Sequence, residues 1–287
     1  MTSAETNPDT PHMSHQSFAE FARFITAELG IKMPDAKQPM LESRLMRRLR
    51  LLQLNSLEEY LEYFFHSNHA DEERAQFINA VTTNKTDFFR EPQHFEYLTR
   101  TALPALGWDA PARHGGRFKL WCAGCSSGEE PYTQAIVLGE YARQTPGFDF
   151  AILATDISTR VLDHAQQGIY DEARLEPVRA DLRRKYFLHS READQPRVRV
   201  IPELRGRISF HQLNFMADEY HVRDLFEVIF FRNVMIYFDR PTQEAVIRKL
   251  CRNLVPGGFL FVGHSESLTG LNLPVSPVAP AVFRKPL

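Results

Sequence analysis

The sequence predicts an α/β protein: a doubly wound, mostly parallel sheet with a small antiparallel β-subdomain inserted in it, preceded by an all-α domain. Three observations carry this expectation. Between Ser17 and Arg90 apolar residues recur at helical spacing and no strand pattern appears. From Phe118 onward short apolar runs alternate with helical patterns, as a mostly parallel sheet requires. Between about residues 170 and 206 that alternation breaks, and Val198-Arg-Val-Ile201 alternates like an exposed strand.

Residues 1–16 are polar, contain Pro8 and Pro11, and read as a disordered tail. A helical domain is expected over 17–90. Phe18, Phe21, Phe24 and Ile25 share one face, and Leu41, Leu45, Leu49 and Leu52 form a second stripe. Leu57, Tyr60, Leu61 and Phe64 follow, then Phe77, Ile78 and Val81. Residues 91–116 are expected to be a linker, because Ala102 to Gly116 is rich in Ala, Pro and Gly. The α/β domain is expected over 117–287. Its strands are predicted at Phe118–Cys122, Phe150–Thr155, Ile208–Leu213, Phe226–Phe231 and Phe259–Val262. Its helices are predicted at Glu129–Tyr141, Ser158–Gln167 and Thr242–Asn253. Val275 to Lys285 reads as a terminal strand or hairpin.

A length of 287 residues suits two domains of unequal size. The 34 Lys+Arg against 36 Asp+Glu exclude the broad basic surface of a non-specific nucleic-acid binder. Three cysteines are no disulfide framework and fit a reducing compartment. No apolar run approaches the ~18 residues of a membrane span. The start has neither a basic signal-peptide n-region nor a myristoylation glycine. A cytoplasmic protein, not embedded in a membrane, is expected.

The most informative segment is Trp121-Cys-Ala-Gly-Cys-Ser-Ser-Gly-Glu-Glu-Pro-Tyr132. Cys122 and Cys125 have thioredoxin-type spacing, but the helix begins too late for that site, and two buried inert thiols are the better reading. Gly124-Cys-Ser126-Ser-Gly128 satisfies the G-x-S-x-G of a hydrolase elbow, with His114-Gly-Gly as an oxyanion motif and His264 downstream. The oxyanion motif stands too close to the elbow for that fold, so a serine hydrolase is the remote alternative. G-x-G-x-x-G is absent, against a dinucleotide site. A nucleotide-sized ligand remains: strand, small-residue loop and helix let backbone approach it closely. Asp156, ending the next strand, can accept both ribose hydroxyls. This is the general plan of S-adenosylmethionine methyltransferases. Asn214, Arg232 and Asn233 also follow predicted strands, at the end where open α/β sheets bind ligands.

Four motifs then resemble one family. They are Thr82-Thr-Asn-Lys-Thr-Asp-Phe-Phe-Arg-Glu91, Ser127-Gly-Glu-Glu-Pro-Tyr132, Phe231-Arg-Asn-Val-Met-Ile-Tyr-Phe238 and Val262-Gly-His-Ser-Glu266. In this order they are similar to the chemotaxis receptor methyltransferases of the CheR type, over about residues 17 to 285. The resemblance implies S-adenosyl-L-methionine as cofactor and S-adenosyl-L-homocysteine as product. It implies O-methylation of glutamate side chains on methyl-accepting chemotaxis receptors. A cofactor-binding signalling module, or a methyltransferase with a non-receptor substrate, is the alternative. Carried over by matching position, the cofactor contacts are Asn84, Thr86, Arg90, Glu130, Asp156, Asn214, Phe215, Arg232 and Asn233. Phe215 stands where leucine is expected, which a backbone contact tolerates. Spacing alone does not decide between Glu129 and Glu130. Arg90 is expected to orient the incoming carboxylate, and Tyr237 to lie near the transferred methyl group. No metal is expected, since Cys122 and Cys125 lack a partner pair.

Residues 17–90 hold 10 Lys+Arg and 11 Asp+Glu, yet Ser43-Arg-Leu-Met-Arg-Arg-Leu-Arg50 has four arginines and no acid. If the leucines of that helix are buried, Arg44, Arg47 and Arg48 face outward with Arg50 to one side. The run is read as a docking face for the cytoplasmic, glutamate-bearing helical methylation region of chemoreceptors at membrane-associated arrays. Relatives that tether a receptor carboxy-terminal peptide by strand addition carry a glycine-containing loop in the β-subdomain. Here His189-Ser-Arg-Glu-Ala-Asp-Gln-Pro196 has no glycine, which argues against tethering.

Overall fold

The computed structural model describes residues 12–109, 116–191 and 195–287. The chain divides into two compact units between Thr83 and Asn84.

Among the described residues the first unit has four α-helices, α1 (His15–Leu29), α2 (Gln38–Leu52), α3 (Leu57–His66) and α4 (Ala70–Val81), with a 3-10 turn at Asp35–Lys37. The expected tail to residue 16 is corrected at its end. The Ser14 hydroxyl accepts the Ser17 amide and caps α1. Met13 is buried, and its amide donates to the Glu42 carboxylate at 2.9 Å. Phe21 of α1 packs on Tyr60, Phe64 and Phe77, with Phe64 and Phe77 rings 4.6 Å apart, and Phe18 and Ile25 of the same face are buried. Leu41, Leu45 and Leu49 of α2 are buried as their spacing predicts, while Leu52 is only half-buried.

The arginines of α2 are the second correction. Arg48 turns inward and pairs with Glu73, Nε to Oε1 at 2.9 Å and Nη2 to Oε2 at 2.5 Å. Glu73 is buried and also accepts the Tyr60 hydroxyl at 2.6 Å. Arg44 donates to the Val81 carbonyl and to Thr83 Oγ1, satisfying the end of α4. Arg47 and Arg50 alone of the four are exposed.

The second unit begins at Asn84. The expected linker over 91–116 is largely structured. Helical segments α5 (Gln93–Tyr97) and α6 (Leu103–Ala105) flank a π-helical turn, Leu98–Ala102. Phe95, Leu98, Ala102, Leu103 and Trp108 join the core. Pro104 falls in the first turn of α6, where no intrahelical amide bond is needed, so it does not interrupt the segment.

The sheet strands are β1 (Phe118–Ala123), β2 (Phe150–Asp156), β6 (Ile208–Gln212), β7 (Phe226–Phe231), β8 (Leu254–Val262), β9 (Ser276–Ala279) and β10 (Val282–Arg284). Their order is β6-β2-β1-β7-β8-β10-β9. The first five run parallel, and β10 pairs antiparallel with β8 and β9. Helices α7 (Glu129–Gln144), α8 (Thr159–Gln167) and α11 (Arg240–Arg252) lie between strands in the chain. Val228 to Phe231 are fully buried, as a central strand covered on both faces requires. The chain winds one way from β1 through β2 to β6, then restarts at β7 on the other side of β1. A ligand crevice belongs at that reversal, beyond the carboxyl ends of β1 and β7.

The inserted subdomain is the antiparallel sheet β3-β5-β4, from β3 (Ile169–Asp171), β4 (Phe187–His189) and β5 (Arg197–Val200). Helix α9 (Ala180–Tyr186) precedes β4, and α10 (Pro202–Arg205) follows β5. The alternation at 198–201 belongs to a central strand, not an exposed one: Val198 and Val200 are buried while Arg197 and Arg199 face out. Residues 192–194 and His114 lie outside the described residues.

Glu73→Ala removes the partner of both Arg48 and Tyr60. Urea unfolding is expected to show a loss of about 3 kcal/mol, the scale for breaking a buried pair.

Candidate active site

Gly124 and Cys125, just past β1, donate their amides to the Thr155 carbonyl at 2.7 and 2.9 Å. This folds the loop over the end of β2. Gly124 has φ +85°, and a Cβ there would stand 2.5 Å from Val234 Cγ2. Ser126, at φ 50°, donates its amide to Asp156 Oδ2 at 2.8 Å, and Ser158 donates to Oδ1 at 3.1 Å. Asp156 is only 8% exposed. Burial raises its pKa, and backbone amides oppose that shift. Each carboxylate oxygen keeps acceptor capacity for a further hydroxyl. The Ser126 hydroxyl donates to the Asn84 carbonyl at 3.0 Å rather than to an imidazole, which removes the basis for a hydrolase triad. Cys122 and Cys125 are unpaired and buried, and burial pushes both thiols well above their ordinary range, which fits inert cysteines.

The adjacent glutamates of α7 separate by partner. Glu129 pairs with Arg174 at 2.6 Å and accepts the Ser127 hydroxyl at 2.6 Å. Arg174 also pairs with Asp87 at 3.2 Å and donates to the Thr86 carbonyl at 2.5 Å. Glu130 lies instead 3.7 Å from Arg232, with the Cys122 thiol at 3.6 Å and Gln134 Nε2 at 3.3 Å. Burial raises its pKa. Arg232, Cys122 and Arg90 oppose this and Glu91 adds to it.

Arg232 follows β7 with no exposed side-chain surface. Its guanidinium lies 5.5 and 5.9 Å from the Phe95 and Phe230 ring centroids. Nη2 donates to the Arg90 carbonyl at 2.6 Å and stands 3.3 Å from Glu91. Nε and Nη1 have no hydrogen-bond partner among the described residues. Asn233, at φ 59°, donates its amide to Glu266 Oε2 at 2.9 Å, and the Gly263 amide reaches the same oxygen at 2.7 Å.

Arg90 is half-buried, and its guanidinium donates to the Lys85 carbonyl at 3.3 Å. The neighbouring acids are engaged elsewhere, Asp87 with Arg174 and Glu91 with Arg232. Asn214 accepts the Met216 amide through its side chain. The Phe215 ring packs on Phe231 at 5.0 Å, and its carbonyl accepts Lys249 Nζ and the Tyr220 hydroxyl. Tyr237 closes the 3-10 turn Met235–Tyr237 and is half-buried. Hydrogen bonds, ion pairs and strand order thus gather Asn84, Arg90, Glu130, Asp156, Asn214, Arg232 and Asn233 at one end of the parallel strands.

Folding also brings Glu91, His94 and His264 within 4.8 Å of one another, donor types suited to a metal. The Glu91 carboxylate is already engaged by Arg232 and the His264 amide. His94 is buried, its pKa pushed down to about 3 by burial, then by Arg232 and His264, so it is neutral near pH 7.

The family model described as CheR methyltransferase, SAM binding domain, matches residues 84–280, and that of the CheR methyltransferase all-alpha domain matches 16–82. The chain belongs to the CheR methyltransferase family. Chemotaxis protein methyltransferase 2 of Pseudomonas aeruginosa is 38% identical over 95% of this chain and 94% of its own. The chemotaxis protein methyltransferase of Klebsiella aerogenes is 40% identical over 91% and 86%, and that of Escherichia coli 38% over 90% and 87%. The chain is therefore an S-adenosylmethionine-dependent methyltransferase of chemotaxis. No helix of the described residues is long and apolar enough to cross a membrane.

The donor set at these strand ends fits the CheR cofactor: an amide-held carboxylate, Asp156, and a second carboxylate, Glu130, are chemically suited to hydroxyls and an ammonium group. Sequence reasoning missed three engaged residues. Glu91 and Glu266 end two of the family motifs, and that position was their only signal. Arg174 lies in the inserted region, where nothing in the sequence links it to Glu129.

Proposed function

We propose that this CheR-family chain methylates glutamate side chains in the cytoplasmic helical region of chemoreceptors, giving glutamyl methyl esters. The observation that carries the reading is similarity over 90% or more of the chain to proteins named chemotaxis protein methyltransferases.

Asp156 would hold the ribose hydroxyls and Glu130 the ammonium, with Asn84, Thr86, Asn214, Phe215, Arg232 and Asn233 lining the remaining surface. Bound S-adenosyl-L-methionine supplies an electrophilic methyl group on a sulfonium. The acceptor needs no general base, because a glutamate with a reference pKa of about 4.3 is already an anion at pH 7. The chain's work is then positioning and exclusion of water. Arg90, with no carboxylate on its guanidinium among the described residues, orients the incoming carboxylate by a charge-assisted hydrogen bond. Tyr237 would stand beside the methyl group, as the family resemblance implies. Because transfer would join an anion to a cation, keeping water from the reacting groups would favour it.

Docking is assigned to the exposed Arg47 and Arg50 of α2, whose sign suits a glutamate-bearing helix. Arg48 is excluded, since its charge is spent on Glu73. The glycine-free connection between β4 and β5 leaves that docking face, rather than a peptide tether, as the receptor contact. The working location is the cytoplasmic face of receptor arrays.

With labelled cofactor and receptor-containing membranes, the wild type should transfer a base-labile methyl group. Arg90→Ala should abolish transfer while circular dichroism stays native; near-normal turnover would remove Arg90 from the mechanism. Arg47→Glu with Arg50→Glu should raise the receptor KM several-fold at nearly constant kcat, and an unchanged KM would refute the docking role.

A further inference from the structure

We propose that Glu91 is a positioning residue of this methyltransferase: it is the standing counter-ion of buried Arg232, and thereby leaves the Glu130 carboxylate to the cofactor's ammonium group. The role rests on the reading that the cofactor lies in this crevice with its amino-acid end at Glu130.

Arginine does not give up its proton in proteins, so Arg232 carries its charge into a place without solvent contact. A buried cation must be paired. Two carboxylates are in range, Glu91 at 3.3 Å and Glu130 at 3.7 Å. Within 4 Å of that guanidinium, one cation stands between two anions, and Arg90 acts on Glu130 only from farther off, so one negative charge is left without a direct partner. That surplus suits a cationic group, provided Arg232 does not consume it. Glu91, the closer of the two, answers Arg232. Without Glu91, Glu130 would be the only carboxylate within 4 Å of that guanidinium among the described residues, and it would serve the ammonium less well.

Geometry supports the same assignment. Glu91 sits in the left-handed region at φ 56°, two residues after Phe89 at φ 54°. Such backbone persists in non-glycine residues only where the surroundings over-determine it. Its carboxylate supplies that hold: Asn233 Nδ2 donates to Oε1 at 3.4 Å, the His264 amide donates to Oε2 at 3.3 Å, and Arg232 Nη2 lies 3.3 Å from Oε2. One side chain thus fixes the segment carrying Arg90, the residues after β7 and the loop after β8.

The test is a double-mutant cycle read as the calorimetric Kd for S-adenosyl-L-homocysteine. Glu91→Gln keeps the size but removes the charge and turns one accepting oxygen into a donor, and should weaken binding about tenfold. In the Glu130→Gln background the same change should alter Kd less than about twofold. The fragment 5′-methylthioadenosine, which has no ammonium group, should bind Glu91→Gln and wild type alike. Equal losses in both backgrounds, or an equal loss for the fragment, would make Glu91 a structural residue only and overturn the proposal. Should Glu91→Gln not fold, Glu91→Asp carries the same cycle, and its smaller loss must also vanish when Glu130 is glutamine. Failure of the wild type to bind the product would instead overturn the cofactor reading itself.

Discussion

A guanidinium with no water contact organises the candidate site. Arg232 ends a central strand whose last residues are fully buried, so its charge must be answered by other parts of the chain. Three groups from two segments do so: the Arg90 carbonyl and Glu91 from the stretch before α5, and Glu130 from the first turn of α7. The positive φ angles at Phe89, Glu91 and Asn233 cluster around this one cation. Backbone strain of about 1–3 kcal/mol per residue is tolerated there because the ion pairs and hydrogen bonds leave no relaxed alternative.

Asp156 plays the complementary part at the end of β2. It fixes two loops at once, receiving amides from the turn after β1 and from the start of α8. The same small-residue turn is bonded to the Thr155 carbonyl and, through Ser126, to Asn84. The result is a preorganised polar edge, which suits a ligand with a sugar at one end and charges at the other. Methyl transfer between an anion and a cation asks little else of a protein: orientation, dryness and no competing nucleophile. The burial of Cys122 and Cys125, whose thiols are held protonated, is consistent with the last requirement.

The sheet was legible because its strands are continuous apolar runs, and Phe226–Phe231 reads correctly to the residue. Asp156, Arg232 and Asn233 were legible as polar residues ending such runs. Glu129 and Glu130 were not separable, because neighbours on a helix diverge by about 100° and only tertiary partners decide which faces the crevice. The partner of Glu129 is 45 residues away in an inserted subdomain. The α2 arginines failed in the same way. The leucine stripe located the buried face, but Glu73 is 25 residues downstream on another helix and draws Arg48 inward. At 91–116, composition masked the burial of Leu98, Ala102 and Leu103.

The central claim is that the crevice beyond β1, β2 and β7 holds S-adenosyl-L-methionine, with Asp156 on the ribose. The direct measurement is calorimetric titration of wild type and Asp156→Ala with S-adenosyl-L-homocysteine, with circular dichroism of both proteins alongside. The account predicts one saturable site in the wild type and its loss in a folded variant. No binding to the wild type, or the same affinity in both proteins, would contradict it.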